Sequence, residues 1–517
     1  MSEKVGPMIT ETDSEDRSFS KWTIIALALL SLTYLSLGYI RSESGLVHAF
    51  DTGIYLQILS NLQVGRGWVS SITGEHLFLA HHFQPVVAIL VPLYAAFSSP
   101  FALLLVSWLA LLVSCIFLMK VLPAKGIASK NSSEWIAVAL FLYPTLASRV
   151  TYSFVPEVMA LPALCYLAYL LAKKDRIHRK EWTGLILCLV YVALCKETLW
   201  LTSAWTAVVL ALAYRKDKEA KVFWVLGLLF LLGFAYLFFQ WMPAHSDLSG
   251  YYGLSYFHNA WVNGRWGFLG KILGAVLNLF SLQSLGTLLV VVILLPAGLT
   301  LFGGYWALAG AIPALLLVMA ASNNQIHDLT NHYLIAALPF IAVASAMGLD
   351  RLRARFKEPK VRTYLALLAV LIPAAMTALH SSGFVFQTLF ATQRMELRLR
   401  QAAAELRKEI DPNELILIDG SLQPLFSDLP QVKVILGFQG NPTHVTLEDL
   451  KKVRRVITTN DLSDLKDCRS IRAGEGDLTV FDYEGFYQYC DWLKSANFVK
   501  KEYLPNRLID LKIEAQP

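Results

Sequence analysis

The chain has 517 residues, of which 55% are hydrophobic and 16% charged, at a mean hydropathy of +0.49, whereas ordinary soluble domains carry about 25% charged residues. A soluble enzyme is excluded by that balance, and an integral membrane protein is indicated. The formal net charge of +6 does not signal a nucleic-acid partner, because the basic residues sit in short runs between apolar segments.

A polar tail, residues 1–21, precedes the first apolar run, Trp22 to Ile40. That run is too long for the apolar core of a cleavable signal and reads as an anchor helix. A membrane span needs about 20 apolar residues. Segments 22–40, 101–119, 134–148, 154–172, 182–195, 198–214, 222–241, 285–302, 305–321, 332–349 and 363–380 are the candidates. The expected fold class is therefore an all-α polytopic membrane bundle of about eleven transmembrane helices over residues 22–380.

The shorter candidates, 134–148 and 182–195, depend on flanking charge. Segments 1–21, 120–133, 173–181, 215–221, 303–304 and 350–362 together hold 21 Lys and Arg, whereas the alternate loops before residue 381 hold six: Arg41, Arg66, Arg149, Lys196, Arg265 and Lys271. Positive charge marks the cytoplasmic side. The N-terminus is thus expected inside, and 134–172 and 182–214 are hairpins whose apices lie outside. Spans this short suit a thinned bilayer or the edge of a water-filled recess, so a recess on the outer side is expected.

Two regions stand outside the spans. In the outer loop, residues 41–100, the stretch FQPVVAILVPLYAAF is expected to form a helix on or dipping into the outer face. The tail, residues 381–517, carries 18 Lys and Arg against 20 Asp and Glu, the balance of a soluble domain. It opens on a helix-forming stretch, TQRMELRLRQAAAELRKEI. Short β-branched runs follow at 414–419, 432–436, 454–459 and 478–482, with a helical pattern near 446–453, so a small extracytoplasmic α/β domain is expected. It contains no glycine-rich nucleotide motif. Tyr487, Tyr489 and Trp492 read as core or as the lining of a sugar or lipid site. Cys115, Cys165, Cys188 and Cys195 lie in apolar stretches without metal or redox spacing, while Cys468 and Cys490 in the tail have the option of a disulfide in an oxidising compartment.

Ionisable residues at membrane depth are costly and mark function. Those of interest all fall on the outer side. Asp51, in HAFDTGIYLQ, precedes a helix-compatible run and is either an N-cap or a catalytic carboxylate. His81 and His82, in AHHFQP, are placed to bind a phosphate or a metal, or simply to sit at the interface. Arg149, Tyr152 and Glu157 occupy the apex of one hairpin, where a local ion pair is the plainer reading. Lys196 and Glu197 occupy the apex of the other, where adjacent opposite charges need opposite partners. His327, Asp328, His332 and Tyr333 lie in NNQIHDLTNHY, before the tenth span. The charges gather at one surface rather than at mid-membrane in related halves, which favours an active site over a permeation path.

An acidic residue soon after the first span, interfacial helices in the first outer loop and a C-terminal extracytoplasmic domain together resemble the GT-C superfamily of membrane glycosyltransferases. Within it, FDTGIYLQ, GRGWVSSITG, HHFQPV, VPEVMALP and CKETLW look like a bacterial family of predicted membrane proteins known as a domain of unknown function. That family usually has Leu at Thr52 and often His-Pro-Glu where this chain has Val155, Pro156 and Glu157.

The resemblance implies transfer of a sugar from a polyprenyl-phosphate donor to a glycan, lipid or protein acceptor at the outer face of a bacterial inner (plasma) membrane. Asp51 would be the general base, or a ligand of a divalent cation such as Mg or Mn that neutralises the leaving phosphate. Glu157 would be a second catalytic carboxylate. Arg149 and Lys196 would meet the lipid phosphate, and His81, His82, Tyr152, Glu197, His327 and His332 would line the substrate site. A transporter or lipid flippase and a non-catalytic membrane assembly protein are the rival functions.

Overall fold

The structure, a computed structural model, describes residues 19–44, 49–71, 77–173, 177–215, 218, 220–246, 267–294, 298–321, 327, 329, 332–356, 358–393, 399–411, 413–419, 422–426, 428–429, 431–435, 451–458, 498–504 and 508–513. Asp328, Cys468, Cys490, the run 478–482, Tyr487, Tyr489, Trp492 and most of 446–453 lie outside the described residues.

Apolar runs bounded by caps and prolines give the long helices. Helix α1 (Lys21–Glu43) starts at Ser20, whose hydroxyl accepts the Thr23 N–H. Two more follow in the outer loop, α2 (Ile54–Gln63) and the short α3 (Phe78–His81), then a 3-10 turn Pro85–Leu90 and α4 (Val91–Ala96). These last two occupy the stretch between Pro85 and Pro100, where a 3-10 turn and a short α-helix take the place of the one continuous helix expected. Helix α5 (Pro100–Ala124) begins with proline in its first turn and Ser99 as cap.

Among the described residues, four helices are long and apolar enough to cross a membrane: Lys21–Glu43, Pro100–Ala124, Ala220–His245 and Pro359–Leu379. Several other expected spans are shorter or broken. Pro144 ends α6 (Lys130–Phe141) and opens α7 (Pro144–Thr151), since its ring cannot follow a helical turn. Pro156 then starts a 3-10 turn, Pro156–Ala160, that leads into α8 (Leu161–Ala172). The axis turns by 116° between Pro144–Thr151 and Pro156–Ala172. The hairpin expected over 134–172 is thus a bent path with Arg149 and Glu157 at its corner.

Helices α9 (Arg179–Cys195) and α10 (Glu197–Ala213) are separated by one extended residue, Lys196. Helix α11 (Ala220–Tyr236) continues through a π-turn, Leu237–Trp241, into α12 (Met242–His245). Beyond it lie α13 (Gly267–Asn278), α14 (Leu282–Leu288), α15 (Tyr305–Ala309), α16 (Ile312–Ala320), α17 (Leu338–Arg355) and α18 (Pro359–Gln393). Leu228, Leu229 and Leu232 on α11, like Leu29 and Leu32 on α1, are exposed, as expected of a lipid-facing surface.

The ends of the bundle keep the sorting seen in the charges. Glu134 bonds the Ser20 N–H at 3.0 Å and the Thr23 hydroxyl at 2.9 Å, Ser129 meets Asp350, and Lys173 pairs with Glu181 at 2.7 Å. All of these belong to, or border, segments read as cytoplasmic. The residues read as outer meet one another instead, as described below.

Tight backbone approach fixes the packing of α17. A Cβ at Gly348 would run into the Leu299 carbonyl, and one at Gly303 into the Ala344 carbonyl. Gly348→Ala is therefore expected to destabilise the bundle by about 2–3 kcal/mol through overpacking against backbone that cannot give. Gly286, with nothing near its Cβ position, is the control. Thermal unfolding in detergent should show a lowered midpoint for Gly348→Ala and none for Gly286→Ala.

The C-terminal part contributes α19 (Leu399–Arg407) and a five-stranded sheet of order β2-β1-β3-β5-β4. Its strands are β1 (Ile416–Asp419), β2 (Val432–Ile435), β3 (Arg455–Thr458), β4 (Phe498–Leu504) and β5 (Leu508–Ile513). β1 pairs in parallel with β2 and β3, and β5 pairs antiparallel with β3 and β4. The first three strands match the β-branched runs. This unit sits on the outer loop: Gln57 Nε2 donates to the Leu429 carbonyl at 3.4 Å, the Ser71 hydroxyl donates to the Val432 carbonyl, and Arg400 pairs with Glu43.

Candidate active site

Asp51 lies in a five-residue π-turn, Ala49–Gly53, that opens into α2. Such turns are rare and concentrate at functional sites. The N-cap of α2 is Gly53, not Asp51. The Asp51 carboxylate instead takes Arg149 Nη1 on Oδ2 at 3.1 Å. Arg149, in the last turn of α7, is buried, and its Nη2 lies 3.3 Å from the Ser148 hydroxyl. Thr52, where the resembling family usually has Leu, accepts the Phe154 N–H on its buried hydroxyl at 2.9 Å. That bond ties the Asp51 turn to the corner between Arg149 and Glu157.

The second group is built on the single-residue break at Lys196. Its extended backbone, φ −169° and ψ 151°, sends neighbouring side chains opposite ways, as the sequence requires of an adjacent opposite pair. Lys196 Nζ donates to Glu157 Oε1 and lies 3.2 Å from His332 Nε2, with the Tyr333 ring centroid at 5.5 Å. Glu197 turns to the outer loop, where Oε1 meets His82 Nδ1 at 3.0 Å and Oε2 accepts the Phe83 N–H at 3.1 Å.

Charge states follow from these contacts. Burial draws Lys196 down, but Glu157 and Glu197 outweigh it and hold the ammonium above its usual range. The Lys196 ammonium can only donate, so His332 Nε2 is the acceptor and the ring is neutral. The 3.6 Å approach of His332 to Glu157 is therefore not an ion pair. His332 lies in the field of Lys196, Asp51, Arg149 and His82, which places the two groups in one neighbourhood.

Lys196, Glu157, His332 and Tyr333 open onto a cavity of about 400 Å³ whose other walls are mainly apolar, among them Leu199, Phe234, Phe238, Leu279, Ala314 and Leu317. The π-turn Leu237–Trp241 carries Phe238 into this wall. The cavity lies beside the 182–214 apex, and its walls are those of an apolar pocket, not of the water-filled recess expected from the short spans. An aliphatic chain with an anionic head has the matching shape and charge.

Other predicted residues fall as follows. His81 stands beside His82, ring centroids 4.7 Å apart. Tyr152 lies under the Arg41 guanidinium at 4.6 Å. His327 is set apart, with Nδ1 3.1 Å from the Thr287 hydroxyl and Nε2 3.0 Å from the Ala321 carbonyl; both nitrogens are occupied by the scaffold. The sequence reading missed Arg41 as a partner of the site and the buried bond from Tyr55 hydroxyl to Gln84 Oε1 at 2.7 Å. Arg41 counted there only as a stray charge in an outer loop.

Among the described residues, no group of three or more His, Cys, Asp or Glu is placed to hold a metal. The partner of Asp51 is a guanidinium, so a cation there would need ligands from beyond the described residues.

A charged cluster at one end of a helical bundle thus opens on an apolar cavity. The sequence matches the family described as "Predicted membrane protein (DUF2079)" over residues 43–461, and the chain belongs to that family. No protein of curated function matches it in sequence. Among solved structures, the chain is similar to ArnT from Cupriavidus metallidurans bound to undecaprenyl phosphate, with TM-score 0.53 and 11% identity over 95% of this chain and 97% of that one. The apo form of the same protein gives TM-score 0.52. The arabinofuranosyltransferase AftD from Mycobacteria gives 0.49 at 16% identity, covering 97% of this chain and 40% of that chain. The resemblance to a family of predicted membrane proteins seen in the sequence is thus borne out, and the fold is shared with ArnT.

Proposed function

We propose that the protein is a membrane glycosyltransferase that moves a sugar from a polyprenyl-phosphate donor to an acceptor at the outer face of a bacterial inner membrane. The apolar cavity ending on Lys196 carries this reading. Its apolar walls suit a prenyl chain, and a buried ammonium at its polar end suits the phosphate as a point charge. The fold shared with ArnT, whose solved structure holds undecaprenyl phosphate, supports the same class of lipid.

Asp51 and Arg149 supply the second half of the site. Asp51 is the carboxylate at the reacting centre, where it orients the acceptor hydroxyl or, with further ligands, would hold a divalent cation. Glu157 keeps Lys196 charged and aimed at the cavity. The C-terminal α/β unit lies over the outer loop, on the side from which an acceptor would approach.

Native mass spectra of the protein purified with co-extracted lipid test the proposal. A bound polyprenyl phosphate or polyprenyl-phosphate sugar is the expected result. If undecaprenyl phosphate supplied in excess is never retained, the transferase reading falls below those of a transporter or an assembly protein.

A further inference from the structure

His82 and Glu197 form a pair that the reading above leaves without a task. Glu197 is almost wholly buried at 3% side-chain exposure, while His82 keeps 26%. Both Glu197 oxygens are engaged, one by His82 Nδ1 and one by the Phe83 N–H. The carboxylate is fixed, and it fixes the ring. Because Glu197 accepts at Nδ1, the neutral imidazole carries its proton there and presents a lone pair at Nε2. No partner among the described residues meets Nε2.

We propose that His82, oriented by Glu197, is the proton acceptor for the incoming hydroxyl, an inference that rests on the glycosyltransferase reading. The hydroxyl oxygen bonds to the anomeric carbon as the bond from that carbon to the phosphate oxygen breaks. The electron pair leaves with the phosphate, which faces Lys196. The hydroxyl proton passes to Nε2 and later to water, and Glu197 stabilises the imidazolium meanwhile.

Three features favour His82 over Asp51 for this step. One Asp51 oxygen is already held by Arg149, whereas Nε2 of His82 is open. Glu197 also follows Lys196 at the start of α10, and although the two side chains leave the backbone on opposite sides, His82 stands in the field of Lys196 and His332, so base and phosphate site border one another. Finally, burial holds His82 below the ordinary imidazole range although Glu197 opposes it, so the ring is neutral and able to accept at pH 7. The titratable neighbours of His82 are Glu197, Lys196, His81 and His332. His245, on α12 against α3, turns to its own Trp241 carbonyl at 2.8 Å.

The test uses full-length protein in proteoliposomes with a panel of undecaprenyl-phosphate hexoses and pentoses, total envelope extract as acceptor, and release of undecaprenyl phosphate as readout. His82→Ala and His82→Gln are expected to lower turnover about 10²- to 10⁴-fold while binding undecaprenyl phosphate like wild type. The acid limb of the wild-type kcat profile should vanish in both, and added imidazole should restore part of the rate in His82→Ala. Glu197→Gln should move that limb to lower pH, because the imidazolium loses its counter-charge. Turnover within threefold of wild type in both His82 variants, or an unchanged acid limb, overturns the dyad alone. Wild-type protein that binds undecaprenyl phosphate yet releases none from any donor overturns the transferase reading and the dyad with it.

Discussion

Lys196→Met is expected to abolish retention of undecaprenyl phosphate and to lower stability at the same time. Lys196 and Glu157 are both buried, with side-chain exposures of 7% and 6%. Breaking a buried pair by removing one partner costs about 3–5 kcal/mol, because the remaining charge is stranded. Glu157 is poorly placed to bear this, since its Oε2 already lacks a hydrogen-bond partner among the described residues. The double variant Lys196→Met/Glu157→Gln removes the stranded charge and should recover most of the thermal stability in detergent. It should not recover the lipid, because the cation facing the phosphate is still missing. Recovery of binding in the double variant would show that the phosphate sits elsewhere.

Asp51→Asn should leave the fold nearly intact and cut transfer by about three orders of magnitude, the range for loss of a group acting at the reacting centre. The Asp51 side chain is 23% exposed against 6% for Arg149, and the Asn carbonyl still accepts a hydrogen bond from the guanidinium, so the loss stays below the about 3–5 kcal/mol of a pair buried on both sides. Stability is therefore a small part of the change. Native mass spectra of the variant should show donor accumulating relative to wild type. Normal transfer by Asp51→Asn would remove Asp51 from the reaction whatever its contact with Arg149.

The sequence revealed the bundle through apolar length and basic runs, and it revealed the site through the cost of placing charge near a membrane. Both signals are local, and they survived. Asp51, Arg149, Glu157, Lys196, Glu197, His82 and His332 were each singled out singly, but their pairing was not legible. Asp51 and Arg149 are 98 positions apart, and Lys196 and His332 are 136 apart. No periodicity reports contacts across such distances.

Helix breaks were only half legible. Pro144 and Pro156 are visible in the chain, yet the 116° turn they frame depends on what packs inside the corner. The π-turn at Asp51 has no sequence signature at all. β4 and β5 escaped because FVKKEYL and LIDLKI are rich in charged residues and lack the continuous β-branched runs that marked β1 to β3. His327 shows the opposite error, a histidine in a polar loop whose nitrogens both serve the scaffold.

The claim at the centre is that a polyprenyl chain lies in the cavity between α10, α11 and α16 with its phosphate on Lys196. A diazirine-bearing undecaprenyl phosphate, photolysed on the reconstituted protein and mapped by peptide mass spectrometry, addresses it directly. Labels on Leu199, Thr202, Phe238 or Leu317, competed away by unlabelled undecaprenyl phosphate, are the predicted result. Labels confined to lipid-facing residues such as Leu29 and Leu228, and insensitive to that competitor, would contradict it.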